Sequence, residues 1–511
     1  MPVKRKGYRD LRLVAPAVLA WLAASGSLRW IISGGNPAVV VGLVFGALLL
    51  SSAAFAFTPK TPRARHAHYP VGSVRALIAL ALLAVSLAAI SAVAHGIQYR
   101  DHRAHDACRT KCVLEGEVAR NSREVAGSTQ TWITHVKLRE SSATLLLITP
   151  AQVQARVGDK VTVSGRVRPG LSAPMIGSMK PESIQVRRTV TSRSMFRVRL
   201  DEALEGFDRD THGLIAGMSI GDFSKMSPEA KDAMVSTGTS HLTAISGTHL
   251  AIVIGTIHAL IPGRSRFKIG VVSALVAGLV AVVGPTPSII RSASMAVIPT
   301  WGVMIGRGGQ SINSLALVAL TWVIIDPWLS VSMGFILSTL STAGVLIAVS
   351  GVKPVKIKLR RPAPIYTLKP LFRLIAKKLG FVIAVPSAAT IATAPALLHM
   401  TGELALYSVP ANIAVSPLVA PATLSSLATA ITAQIDPALA AMPGRVAAWC
   451  AGWILTFTQK FAGLPHAMLG QPGALILILA LDLAALVWIV WKLLPLLVRH
   501  WIPSEAIRGI K

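Results

Sequence analysis

Apolar runs of roughly 17–25 residues recur along most of this sequence, each long enough to cross a hydrocarbon core about 30 Å thick. In that solvent every backbone N–H and C=O must be satisfied within the protein, which leaves helices or closed barrels. Runs this long select helices. Apolar residues make up 52% of the chain and charged residues only 14%, with a mean hydropathy of +0.59. That balance excludes a soluble globular chain and a disordered one. The expected fold class is a polytopic α-helical membrane protein of about twelve transmembrane helices. The spans fall near 13–33, 37–57, 74–95, 242–261, 269–284, 286–305, 312–326, 331–350, 380–399, 408–432, 446–462 and 473–497. Pro386, Pro395, Pro410, Pro417 and Pro421 lie in the later spans and interrupt the helical ladder there.

Basic residues orient the spans. Lys4 and Arg5 precede the first, Lys60 and Arg63 follow the second, and Arg264 and Lys268 follow the fourth. The loop after the eighth carries Lys353 to Lys378, with no acid among its basic residues. If twelve spans alternate, all these groups fall on one side, which places both termini in the cytoplasm of a cell-membrane protein. The formal net charge of +29 also suits contact with anionic lipid headgroups. No cleavable signal peptide is read at the N-terminus.

Three domains follow. Residues 1–96 are a three-helix transmembrane region, and 97–192 an extracytoplasmic insert after the third helix. Residues 193–511 hold amphipathic helices and about nine more spans. The insert shows strand patterns at Val113–Ala119, Thr131–Leu138, Ala143–Ile148, Lys160–Arg168 and Ser183–Arg188, separated by turn residues. A short helix fits at Pro150–Val157. Five strands with that helix match a small OB-like β-barrel, an architecture often used on oligonucleotides.

From Arg100 to Arg199 there are 18 Lys and Arg against 8 Asp and Glu. A long translocated domain does not need that excess for topology. A groove that tracks phosphates is one explanation, with Arg120, Arg123, Lys137, Arg139, Arg166 and Arg168 as DNA-binding candidates. Outer-leaflet lipid or an acidic envelope polymer is another. Cys108 and Cys112 are candidates for a local disulfide on an oxidising face. Cys450 reads as a small buried apolar residue. In the amphipathic stretch, Ser227-Pro228-Glu229-Ala230 reads as a helix N-cap with Pro in the first turn.

The chemistry concentrates in Gly238-Thr239-Ser240-His241-Leu242-Thr243-Ala244-Ile245-Ser246-Gly247-Thr248-His249-Leu250, at the mouth of an apolar run. A charge at the centre of a membrane helix costs roughly 2.5–3.5 kcal/mol on insertion scales. A titratable cluster here therefore belongs in a bundle interior or a wet cavity. Ser246 and His249 are three apart and share a helical face, the spacing of a hydrolase reading, although a nucleophile–base pair needs tertiary geometry. His241 and His249 are eight apart, about 80° around an ideal helix, and poorly placed to share a metal. Hydrogen-bonding groups along a polar passage, or interior histidines satisfied by carbonyls, fit better. Arg291, Asp326, Glu403 and Asp482 are the other intramembrane ionisable groups. No nucleotide-binding or metallohydrolase motif is read, so no catalytic residue, metal or cofactor is expected.

Several segments in order resemble the ComEC competence family. They are Leu214–Asp222, Gly238–His249, Pro287–Met295, Asn313–Leu317, Asp326-Pro327 followed by Gly334–Ser338, and Ala394-Pro395 followed by Asn412 and Pro417. His-Leu-x-Ala-Ile-Ser-Gly-x-His is the specific part. The resemblance implies a non-enzymatic inner-membrane channel that passes single-stranded DNA into the cytoplasm during natural transformation. Carried over by position, His241, Ser246, Gly247, His249, Arg291, Asp326 and Asn412 are translocation-path candidates. A cytoplasmic DNA helicase or motor is an expected partner, with Lys353–Lys378 as its dock, and a periplasmic or cell-surface DNA receptor is another. Many family members end in a metallo-β-lactamase-like domain proposed to degrade the second strand, and the sequence contains no such segment. Two alternatives stay open: a transporter of another anionic polymer or lipid, and an intramembrane hydrolase using Ser246 and His249. The sequence leaves oligomeric state open.

Overall fold

A computed structural model describes residues 12–56, 72–100, 112–124, 131–138, 144–153, 155, 158–168, 175–187, 192–243, 247–261, 266–283, 289–295, 297, 311–350 and 369–470. They fall into two compact units. One takes Met1–Asp232, Ser240–Thr339 and Pro417–Thr456, the other Ala233–Thr239, Leu340–Ser416 and Phe457–Lys511.

The first unit opens with α1 (Val14–Ile32), α2 (Pro37–Ala56) and α3 (Gly72–Arg100). α1 and α3 meet along small residues: Ala17, Ala20 and Ala24 on one, Ala84, Ala88 and Ala92 on the other, all buried. Small side chains let helix backbones approach closely where lipid supplies no hydrophobic drive for association. The same core takes in α9 (Ser311–Ile325) through Ala316, Leu320 and Val323. The Trp21 indole N–H donates to the Ser330 carbonyl at 2.8 Å, and its ring lies 5.3 Å from Phe335.

After α3 the chain forms a closed barrel from β1 (Cys112–Glu124), β2 (Trp132–Leu138), β3 (Thr144–Thr149), β4 (Lys160–Arg168) and β5 (Met175–Arg187). The strand order is β1-β2-β3-β5-β4, closing on β1, with β3 and β5 parallel and the other pairs antiparallel. This architecture is compatible with an OB-fold. Alternation along β4 buries Val161, Val163 and Val167 and exposes Lys160, Arg166 and Arg168, the period-2 pattern of a half-buried strand. β5 begins eight residues earlier than its sequence pattern. Its first half carries Pro181, and a register shift falls opposite Ser164 and Gly165, as expected of proline at a bulge. The short helix expected at Pro150–Val157 is not present in its described residues. There the Val153 carbonyl accepts from Ser122 Oγ at 3.1 Å, and the Val153 side chain is buried, which pins the segment.

Three short helices follow: α4 (Ser192–Ala203), α5 (Arg209–Ile220) and α6 (Pro228–Ser236). Asp208 caps α5, accepting from the Thr211 N–H at 2.9 Å. Ser227 caps α6 through its hydroxyl and the Ala230 N–H at 3.2 Å, as its sequence predicts. Asp210 in turn holds the Ser227 amide at 2.7 Å and its hydroxyl at 2.9 Å. α4 docks on the end of α12 (Ser408–Thr432), where Gln434 Nε2 donates to the Phe196 carbonyl at 3.1 Å.

α7 (Gly247–Leu260) and α8 (Arg266–Val283) pack through Leu250, Val272 and Val276. Among the described residues α10 (Met333–Ser350), α11 (Lys369–Thr401) and α13 (Pro437–Ala462) are further helices. In the second unit a two-stranded ladder pairs β6 (Glu403–Ala405) with β7 (Met468–Gly470). The Tyr407 hydroxyl donates to the Pro465 carbonyl at 2.9 Å beside it.

Among the described residues five helices are long and apolar enough to span a membrane: Val14–Ile32, Leu77–Tyr99, Val382–Thr401, Ser408–Thr432 and Pro437–Ala462. Five shorter apolar helices accompany them. The prolines in α11, α12 and α13 lie inside continuous helices. Ser425 Oγ donates to the Pro421 carbonyl four residues back at 2.6 Å, the usual back-bonding of a helical serine. The expected span 473–497 and the basic loop 353–368 lie outside the described residues.

Candidate functional site

The Gly238–Leu250 motif is a sequence of distinct local structures, not the single helix expected from 242. α6 ends in a Schellman arrangement. Gly238 takes φ +65°, its N–H donates to the Val235 carbonyl at 3.0 Å, and the Thr239 N–H donates to the Met234 carbonyl at 2.9 Å. Such a left-handed position favours glycine. A 3-10 turn follows at Ser240–Leu242, with Thr243 Oγ1 donating to the Ser240 carbonyl at 2.7 Å. Ser and Thr hydroxyls compete for backbone groups in this way and oppose a continuous helix. α7 then begins at Gly247. Ser246 precedes it and, with any face it shares with His249, lies outside the described residues. His241 is exposed on the 3-10 turn, whereas His249, in the first turn of α7, is 2% exposed.

In the first unit the structure brings Gly247 and Arg291 together. Arg291 is 3% exposed on the helical stretch 289–295. Its Nε donates to Ser338 Oγ at 2.8 Å and its Nη2 to Ser292 Oγ at 3.2 Å. A Cβ placed on Gly247 would stand 3.0 Å from Nη2 and 3.3 Å from Ser292 Oγ. The guanidinium therefore lies against the first residue of α7. A helix N-terminus carries unsatisfied N–H groups and a partial positive charge that favours anions. A guanidinium there adds to that potential instead of offsetting it. Such an arrangement suits an anionic group. The stretch also meets α9, where the Trp322 indole N–H donates to Ser294 Oγ at 2.8 Å.

Asp326 has a local role. Its carboxylate accepts from the Trp328 N–H at 3.1 Å and caps the 3-10 turn Pro327–Ser330. In the second unit, Asn412 Nδ2 donates to the Ser408 carbonyl at 2.7 Å and approaches the Gly238 carbonyl at 3.5 Å. Thr390 Oγ1 lies 3.3 Å from Ser408 Oγ. The start of α12 thus touches the cap of α6. Ser292 and Ser338 beside Arg291 in the first unit, and Ser408 and Thr390 near Asn412 in the second, are polar partners that the sequence reading did not name as candidates. The available signal is a hydroxyl in an apolar run, a common interhelical donor.

On the barrel, Lys137, Arg166 and Arg168 are exposed. Arg120 and Arg123 lie on β1, in register with His135 and Ile133. Arg139 lies outside the described residues. Cys112 is disulfide-bonded, while Cys108 lies outside the described residues. Cys450 is free and buried. A separate charged cluster joins α4 to α5. His212 Nε2 lies 2.9 Å and Lys225 Nζ 3.1 Å from Asp201 Oδ1, and Arg197 Nη1 lies 2.7 Å from Asp222 Oδ2. Burial pushes the Asp201 carboxyl up, but the bonds from His212 and Lys225 outweigh it and hold the group below its ordinary value. Among the described residues no group of three or more His, Cys, Asp or Glu is placed to hold a metal ion.

A family model described as Competence protein matches residues 218–494, which includes the motif, Arg291, Asp326 and Asn412. The chain belongs to the competence protein family. The resemblance to ComEC proteins carried by Gly238–His249 is borne out, and the apolar helices make this a membrane protein. ComE operon protein 3 of Bacillus subtilis (strain 168) is 24% identical over 211 residues. That alignment covers 41% of this chain and 25% of the relative, so the match spans about a quarter of the relative's length. No solved structure matches.

Proposed function

We propose that this competence-family protein is a channel of the cytoplasmic membrane that passes single-stranded DNA into the cell during natural transformation. The observation that carries the proposal is the buried Arg291. Its guanidinium donates to two hydroxyls against a helix N-terminus among apolar helices, an arrangement suited to an anionic group. A moving phosphodiester chain needs such donors at intervals, together with a wet lumen. His241, Ser246, Gly247, His249, Asp326 and Asn412 are proposed to shape that path with Arg291.

The proposed topology has about twelve spans, both termini in the cytoplasm, and the 97–192 region outside. Transport of DNA against its own entropy needs an external motor, and a cytoplasmic helicase is the proposed one. A DNA receptor on the outer side would deliver the strand. No enzymatic step is assigned to this chain.

The test is entry of labelled DNA into nuclease-protected form, in cells carrying His241→Ala or His249→Ala, with membrane levels of the protein measured alongside. Loss of protected DNA at normal protein levels supports the proposal. Unchanged uptake in a full deletion would remove it and shift weight to another anionic polymer or lipid.

A further inference from the structure

The outer face of the β4–β5 ladder carries an arrangement that a stable barrel has no reason to adopt. Arg166 on β4 and Lys180 on β5 are directly opposite one another, and both are exposed. Arg168, two residues along the same face, is exposed and opposite Ser178. Opposed residues in an antiparallel pair hold their Cβ atoms about 4.5–5.5 Å apart, and like charges there destabilise the sheet. None of the three has an acidic partner among the described residues.

The other end of the ladder is different. Lys160 opposes Arg187, but on the β1 side it also opposes Glu117, which in turn opposes Lys137. That row sets one acid, Glu117, between Lys160 and Lys137. Among the described residues β1 begins at Cys112, opposite Gly165, and none of them lies opposite Arg166 or Arg168. Both ends of the ladder are thus basic, and the end at Arg166, Arg168 and Lys180 has no acid in register with it among the described residues.

We propose that Arg166, Arg168 and Lys180 form a contact surface for the phosphodiester backbone of single-stranded DNA, a proposal that rests on the DNA-channel reading above. An external polyanion supplies the negative charge that the sheet lacks. Between the two basic ends, the outward residues of the ladder are Thr162 with Gln185 and Ser164 with Ser183, the last pair bonded at 2.7 Å. They offer hydroxyl and amide donors for phosphate and sugar. Glu182, also exposed, sits at the register shift between them. At about 3.3 Å per residue, the strip from Lys160 to Arg166 runs roughly 20 Å, a linear track suited to a linear ligand. None of these outward side chains is aromatic or aliphatic. Base stacking needs aromatic rings, and an interfacial lipid surface needs Trp, Phe or Leu. The surface therefore grips backbone without reading bases.

The test measures binding of a thirty-residue thymidine oligomer to the full-length protein in zwitterionic nanodiscs across a salt series. Wild type is compared with Arg166→Gln/Arg168→Gln/Lys180→Gln and with the charge-preserving Arg166→Lys/Arg168→Lys/Lys180→Arg. For single strands each lost phosphate contact shallows the slope of log affinity against log salt by about 0.7. The neutral variant should lose a slope of about 2, and the charge-preserving variant should keep the wild-type slope. The neutral variant should unfold no lower than wild type, because its removed charges repel one another. A neutral variant that binds the oligomer with the wild-type slope overturns the surface while leaving DNA binding intact. Wild type that ignores the oligomer but binds anionic vesicles through these three residues also overturns it, with lipid as the occupant. The channel reading is then judged separately by uptake.

Discussion

Arg291 Nε donates to Ser338 Oγ at 2.8 Å, joining residues 47 positions apart in the sequence through a guanidinium that is 3% exposed. Removing one partner of a buried hydrogen bond costs about 1–3 kcal/mol. Arg291→Met should therefore lower the unfolding temperature of the purified protein by no more than a few degrees. At the same membrane level, DNA uptake should fall at least tenfold. A large drop in unfolding temperature would mark the arginine as structural.

Two glycines separate steric from electrostatic effects. A Cβ on Gly217 would stand 2.6 Å from the Thr243 backbone carbonyl, which cannot move without shifting the 3-10 turn. Overpacking of this kind costs roughly 1–3 kcal/mol, more than the roughly 1 kcal/mol that alanine gains in helix propensity. Gly217→Ala should lower the unfolding temperature. Gly247→Ala meets only the far ends of the Arg291 and Ser292 side chains, at 3.0 and 3.3 Å. Its thermal shift should be the smaller of the two, read in parallel melts.

The Asp201 cluster, outside the spanning helices, sets an acid limit. Its folded pKa is held below the ordinary 3.8 by His212 and Lys225, against the upward push of burial. A depressed carboxylate contributes stability in full above its unfolded value and loses it as pH falls through the folded one. The gap in unfolding temperature between wild type and Asp201→Asn should be steady near pH 6 and close below about pH 4. A gap that persists at lower pH would contradict this linkage.

The proposed Cys108–Cys112 bridge gives a count. Denatured protein alkylated without reductant should take one label, at Cys450, and three after reduction. Three labels before reduction would contradict both the bridge and an oxidising location for the 97–192 region.

Elements with strong local signals were legible in the sequence. β4 at Lys160–Arg168 follows directly from alternation, and the Ser227 cap of α6 follows from its hydroxyl and the proline after it. The start of α7 was not legible from apolar content, since Leu242 and Thr243 are as buried as Leu250 and Val253 within the helix. Backbone bonds to Ser240 and the left-handed Gly238 decide the conformation there. The early half of β5 was hidden by Pro181, which reads as a break until a bulge accommodates it. At the site, the motif and Arg291 could be named from polarity in apolar runs. Ser338 could not be, because its part depends on a partner brought in by tertiary packing.

The central claim is that DNA passes beside Arg291. A photoreactive side chain at Ser338, with a second at Leu260, which is 75% exposed, provides the most direct measurement. Cells taking up labelled DNA would be illuminated and the protein recovered. Crosslinking of DNA at position 338 but not at 260 is the predicted result. Equal labelling at both positions, or none at 338 while uptake continues, would contradict passage through this site.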